Sequence, residues 1–107
     1  MKLGIRVKKQ EKSNILEELF SVIKSRDKDK KKNSYTNLLL KEGKNKIAQK
    51  VGEESIELLL EYINGSKKRT IEEASDLIYH LLVLLYSKKI SINDINEELT
   101  KRKNVRR

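Results

Sequence analysis

Leu77-Ile-Tyr-His80-Leu-Leu-Val-Leu-Leu-Tyr86 is apolar at nearly every position, and the reading of this run decides the fold. It is too short to span a bilayer, which takes about 20 such residues. It shows no polar and apolar alternation of the kind a half-buried strand carries. A helix that is apolar almost all round is a buried helix, so the run predicts a central helix that other helices must cover. Upstream, Thr70 followed by Glu73 fits a capping box and predicts that this helix covers about 71–87.

Working outward, Lys44 to Ile63 separates into two arcs when stepped at about 100° per residue. Ile47, Val51, Ile56, Leu58, Leu59, Leu60 and Ile63 fill the wide arc, while Lys46, Lys50, Glu53, Glu54, Glu57 and Glu61 share the remaining stripe. Asn64-Gly65 ends this helix, and Asn64 to Arg69 is read as the turn into the next one, a short connection of the kind antiparallel helix pairs use. Ser34 offers a cap for a short helix carrying Tyr35, Leu38, Leu39 and Leu40, with Gly43 placed to end it. Ser13 offers a cap for a first helix over about 14–26, in which Ile15, Leu16, Leu19, Phe20 and Ile23 repeat at helical spacing. Arg26 to Asn33 has no apolar residue and reads as a solvated loop. Ser91 with Asp94 caps a last helix whose inner face is Ile92, Ile95 and Leu99.

The fold class expected is all-α: an antiparallel helical hairpin or bundle of four to five helices. Absence of proline and the abundance of Leu, Ile, Glu and Lys agree with it. Only Leu3 to Val7 carries a strand-like pattern. Residues 1–12 read as a basic extension, 13–103 as one domain and 104–107 as a basic tail. At 107 residues, with 36% hydrophobic content, the chain can bury one modest core. A helix apolar all round needs more cover than so small a chain supplies, so a homodimer is expected.

Two pairs of acids carry the chemistry. Glu54 with Glu57, and Glu73 with Asp76, are each three apart, so each pair shares a helix face. Between residues 53 and 76 seven acids (Glu53, Glu54, Glu57, Glu61, Glu72, Glu73, Asp76) stand against Lys67, Lys68 and Arg69, in a chain of formal charge +9. Clustered like charges need a counter-ion, and magnesium suits carboxylate and water oxygens while leaving positions for phosphate. A solvated helix face explains any one such pair, and the capping box alone explains Glu73. Asp76 resists the bland reading, because it enters an apolar helix where an unpaired carboxylate is expensive. Lys46 and Lys50 read either as salt-bridge partners or as phosphate-neutralising groups; Glu53 or Glu61 is the candidate general base. His80, one turn after Asp76, reads as a satisfied core histidine, able to pair with Asp76. Tyr35, Tyr79 and Tyr86 read as core-edge residues whose hydroxyls find a partner.

No cysteine is present, which excludes disulfides and thiolate metal sites. No leader-like apolar stretch is evident, and the cytoplasm is the expected location. Lysine runs raise nucleic-acid binding as a rival reading. Missing interleaved aromatics, no evident recognition helix and the acidic stripe argue against it, and no membrane role is expected. With no phosphate loop and no nucleophilic triad pattern, metal-assisted hydrolysis is the remaining enzyme chemistry.

Ser34-Tyr-Thr-Asn-Leu-Leu-Leu40, Gly43-Lys-Asn-Lys-Ile-Ala-Gln-Lys-Val-Gly-Glu-Glu-Ser-Ile-Glu57 and Glu72-Glu-Ala-Ser-Asp-Leu-Ile-Tyr-His-Leu-Leu-Val-Leu-Leu85 resemble the phosphoribosyl-ATP pyrophosphohydrolase family. The likeness covers roughly residues 13–103, and the acid pairs alone are shared with the wider MazG-like all-α nucleotide pyrophosphohydrolases. The resemblance implies magnesium-dependent hydrolysis of phosphoribosyl-ATP to phosphoribosyl-AMP and pyrophosphate, the second step of histidine biosynthesis, by a stand-alone form. It implies metal binding by Glu54, Glu57, Glu73 and Asp76, catalytic roles for Glu53 and Glu54, and phosphate binding by Lys46 and Lys50. The alternative is a pyrophosphohydrolase acting on another, non-standard nucleoside triphosphate.

Overall fold

The computed structural model describes residues 14–29 and 34–103, and among these every regular element is helical. Five α-helices follow one another: α1 (Ile15–Lys28), α2 (Tyr35–Glu42), α3 (Lys44–Asn64), α4 (Lys67–Ser87) and α5 (Ile92–Lys103). The expectation of an all-α chain with four to five helices holds. The basic extension, its strand-like Leu3 to Val7, and the tail 104–107 lie outside the described residues.

Helix ends follow side-chain chemistry. Asn14 caps α1, its side-chain oxygen accepting from the Leu16 and Glu17 amides, while Ser13, the cap expected from sequence, lies outside the described residues. α1 also runs through Asp27 and Lys28, into the stretch expected to be loop. Asp27 is held there by the Tyr86 hydroxyl at 2.7 Å, a tertiary bond that local charge does not reveal. Ser34 caps α2 by accepting from the Asn37 amide. Between α2 and α3 the chain turns on Gly43 alone, at φ 94°, a left-handed conformation that favours glycine. Ser91 and Asp94 cap α5 reciprocally, each side chain accepting the other's backbone N–H.

The α3–α4 connection differs most from expectation. Only Gly65 and Ser66 separate the two helices. Gly65 is required because a Cβ there would lie 1.9 Å from Glu61 Oε1 and 2.9 Å from the Glu61 carbonyl. Ser66 caps α4 by accepting from the Arg69 amide. The Thr70 hydroxyl, read from sequence as the cap, instead donates back to the Ser66 carbonyl at 2.8 Å inside the first turn. Lys67, Lys68 and Arg69 are good helix formers, so an earlier cap extends the helix.

The core sits at the end of the hairpin away from this bend. Ile23, Leu39, Ile47, Leu82 and Val83 are buried, with Leu19, Phe20, Leu40, Tyr79, Leu84, Leu85, Tyr86 and Ile92 packed against them. The wholly buried apolar helix expected over 77–86 is only partly so: Leu82 and Val83 are buried while Ile78 and Leu81 stand 40% exposed.

Candidate metal centre

The short bend sets the register of the site. Counting outward from Gly65, Glu61 and Arg69 lie four residues away, Glu57 and Glu73 eight, and Glu54 and Asp76 eleven. Steps of four, four and three keep to one helix face, so two stripes climb the hairpin with their rungs at matching heights. Had α4 begun at residue 71, the stripes would have been out of step.

Glu54, Glu57 and Glu73 each offer an oxygen, and these three oxygens lie within 4.8 Å of one another. Glu54 and Glu73 are buried, whereas Glu57 is exposed. Oε1 of Glu54 and Oε1 of Glu73 are both shielded from solvent and have no hydrogen-bond partner. Buried carboxylate oxygens are expensive to leave unsatisfied, and a hard cation would satisfy them. Magnesium with bonds of about 2.1 Å separates adjacent ligands by roughly 3.0 Å and opposite ligands by roughly 4.2 Å. The observed spread lies within a small side-chain adjustment of those values. These residues therefore fit a divalent cation.

The electrostatics of Glu73 show the strain of the arrangement. Its pKa is raised, first by removal from water, then by the Glu57 carboxylate beside it, with Asp76 adding to the effect and Arg69 opposing it. Asp76 corrects one expectation. It is exposed and outside the three converging oxygens, so the burial that singled it out in sequence does not occur. The reason is that the apolar flank of α4 beside it is itself uncovered, Ile78 included. Asp76 nevertheless stands on the site's stripe, close enough for its charge to be felt by Glu73.

Glu53 is exposed and is not one of the three residues whose oxygens converge. It accepts from Gln49 Nε2 at 2.8 Å and pairs with Lys50 at 3.5 Å. The Gln49 bond, followed by the Lys50 charge, lowers its pKa and keeps it ionised. Lys46 and Lys50 are half-buried and line a cavity of about 320 Å³ together with Tyr35, Leu38, Leu39 and Glu42. A larger cavity, about 460 Å³, is lined by Phe20, Lys24, Asp27, Leu40, Tyr86, Ser87 and Lys89 to Ser91, with none of the site carboxylates.

His80 is the satisfied core residue expected, but its partner in α4 is the Asp76 carbonyl, not the carboxylate. A carbonyl only accepts, so Nδ1 carries the proton in the neutral ring. Nε2 then accepts from the Tyr35 hydroxyl at 2.8 Å. Tyr79 hydrogen-bonds Thr36, and its ring packs edge-on to His80. The three tyrosine hydroxyls all find partners, as expected.

Arg69 is the residue that the sequence reading left without a role. It contacts Glu72 at 2.6 Å, Glu73 at 2.9 Å and Glu61 at 3.8 Å. Its place four residues before Glu73 was the available signal, hidden by the assignment of 64–69 to a turn.

Fold and site together define an all-α hairpin protein with a three-carboxylate centre able to hold a cation. Residues 16–103 match the family model described as phosphoribosyl-ATP pyrophosphohydrolase, and the chain belongs to that family. It is 46% identical over 89 residues to the phosphoribosyl-ATP pyrophosphatase of Sulfolobus acidocaldarius, covering 83% of this chain and 94% of the relative. It is 43% identical over 90 residues to the enzyme of that name from Clostridium novyi, covering 84% and 82%. The histidine biosynthesis bifunctional protein HisIE of Caldanaerobacter subterraneus is 48% identical over 88 residues, 82% of this chain but 43% of that longer protein.

Proposed function

We propose that this chain hydrolyses phosphoribosyl-ATP to phosphoribosyl-AMP and pyrophosphate, in histidine biosynthesis, with magnesium held by Glu54, Glu57, Glu73 and Asp76. The observation that carries the metal site is the pair of buried, unpartnered oxygens on Glu54 and Glu73, with Glu57 beside them. The family match and the relatives' names support the substrate. Magnesium, when bound, supplies positive charge against the phosphate oxygens and lowers the pKa of bound water.

The chain's own residues supply the rest. In the hydrolysis the α–β anhydride bond breaks and a water oxygen replaces the bridging one on phosphorus. Glu54 and Glu73 hold their carboxylates in a site shielded from water, where electrostatic interactions are strengthened. Glu53, kept ionised by Gln49 and Lys50, is the acceptor we assign to the proton released by the attacking water. Lys46 and Lys50, which line a cavity together with Tyr35 and Glu42, are the groups we assign to neutralise phosphate charge. Residues 13–103 form the working domain.

The same proposal includes a homodimer and a cytoplasmic location. Support for the dimer is the apolar flank near the bend, where Ile56, Leu59, Leu60, Ile63 and Ile71 are each more than half exposed. For the location, the family's biosynthetic role is the support; among the described residues no helix is long and apolar enough to cross a membrane.

The deciding experiment measures pyrophosphate released from phosphoribosyl-ATP with and without magnesium. Wild type should require the metal, and Glu54→Gln, folded by circular dichroism, should lose about 10²–10³-fold in rate, as expected when a group that holds the transition-state-stabilising charge in place is removed. A folded wild type that releases no pyrophosphate with magnesium present would refute the assignment.

A further inference from the structure

Arg69 stands at the closed end of the acid stripes. Facing it across the hairpin is Glu61, and one turn further along its own helix is Glu73. Its guanidinium reaches three carboxylates from two helices: Nη1 meets Glu72 Oε1 at 2.6 Å, Nη2 meets Glu73 Oε2 at 2.9 Å, and Nε lies 3.8 Å from Glu61 Oε2. A planar fork tied to three partners has little freedom to swing. One oxygen of Glu73 is thereby occupied and fixed. The other, Oε1, is buried and has no partner.

We infer that Arg69 is a positioning residue for the metal centre: by fixing one oxygen of Glu73, it presents the other toward Glu54 and Glu57. The inference rests on the proposed reading of those carboxylates as a cation site. It goes beyond that reading by assigning a task to a residue that touches neither cation nor phosphate. Carboxylates that bind metals are commonly held by such outer contacts, and loss of one typically weakens metal affinity by about 10–100-fold.

Bare electrostatics predicts the opposite sign. A guanidinium 2.9 Å from a ligand carboxylate repels an incoming cation, so removing it should tighten magnesium binding if charge were its whole contribution. The direction of the change therefore separates positioning from simple neutralisation. Lysine offers a further separation, because it keeps the charge but loses the fork that spans Glu72, Glu73 and Glu61.

The test is calorimetric titration of magnesium into the metal-free protein, alongside the magnesium-dependent shift in unfolding temperature, for wild type, Arg69→Ala and Arg69→Lys. Positioning predicts affinity lower by about 10–100-fold in Arg69→Ala, with Arg69→Lys between it and wild type. Arg69→Ala binding as tightly as wild type or more tightly would overturn the inference, as would Arg69→Lys indistinguishable from wild type. If the alanine variant fails to fold, the lysine variant carries the decision. No magnesium binding by wild type would overturn the cation reading and this inference with it. Wild-type binding with an unchanged alanine variant would overturn this inference alone.

Discussion

At the root of the α3–α4 hairpin, Ile47, Leu82 and Val83 are buried with Ile23 of α1 and Leu39 of α2, whereas toward the bend Ile56, Leu59, Leu60, Ile63 and Ile71 are each more than half exposed. Both regions belong to the same two helices and carry the same kinds of side chain. What differs is cover, and helix length explains it. α3 and α4 have 21 residues each, against 14 in α1 and eight in α2. At 1.5 Å per residue the hairpin is roughly 31 Å long, while α1 spans about 21 Å and α2 about 12 Å. Two short helices cannot clad a long hairpin. The acid centre falls between the finished root and the bare tip, on an arc of α3 about opposite Ile56, Leu59, Leu60 and Ile63.

The largest expected effect breaks the root. Leu82, 4% exposed, contributes a full side chain to the core. Leu82→Ala should lower unfolding free energy by about 2–5 kcal/mol, read by urea denaturation. Leu60, 59% exposed within one chain, is the matching probe of the tip. If a second copy covers the tip, Leu60→Asp should turn a sedimenting dimer into a monomer and expose the tip to dye binding. A wild type that sediments as a monomer at micromolar concentration, with Leu60→Asp unchanged, would leave the tip a bare surface and remove the proposed dimer.

Tyr86 tests the root by pH instead of by volume. Its hydroxyl donates to Asp27 Oδ2 at 2.7 Å, tying the end of α4 to the last turn of α1. That bond, with burial adding to it, raises the Tyr86 pKa to about 12. The folded state thus holds this proton more tightly than the unfolded chain, whose tyrosine titrates near 10. The stabilisation is fully present below pH 10 and is lost as pH rises toward 12. Tyr86→Phe should cost about 1.5–3 kcal/mol at neutral pH, the range for a hydrogen bond to a charged group. The gap between wild type and variant should close between pH 10 and 12. A gap that stays constant across that window would remove the Asp27 bond as its cause.

The contrast also shows what the sequence made legible. Periodicity and capping signals together gave four to five helices and the acid stripe, because amphipathic patterns are local and each cap (Ser34, Ser91) sits within three residues of the amide it serves. Glu54, Glu57 and Glu73 were found the same way, from spacing. Asp76 was singled out for burial that depends on which flank of α4 is covered, a property of packing that no local pattern contains. Arg69 was missed because Thr70 was read as the cap where the structure uses Ser66; the two compete for the start of α4, and which one wins decides whether Arg69 is in a loop or one turn before Glu73. Tyr35 and His80 lie 45 residues apart, and their bond follows only from the fold.

That competition supplies the smallest effect, and it sharpens the contrast at the tip. Ser66 holds the first turn of α4 with a hydroxyl that accepts from the Arg69 amide at 3.0 Å. Ser66→Ala removes this cap, which should destabilise the helix start by about 1 kcal/mol. At the root such a loss would be shared by the whole core. At the tip no core lies over the turn, and Thr70 with Glu73 offers a second start four residues later. The helix should therefore fray locally to Thr70 instead of weakening throughout. Amide exchange over residues 69–73, whose N–H groups this first turn holds, should quicken by about fivefold, the equivalent of about 1 kcal/mol, while exchange at Leu82 and Val83 stays at the wild-type rate. Fraying would also release Arg69 from its helical spacing to Glu73, so magnesium affinity should fall slightly in the same variant. Uniformly faster exchange along all of α4 would show that root and tip unfold as one unit, and the distinction between them would be structural only.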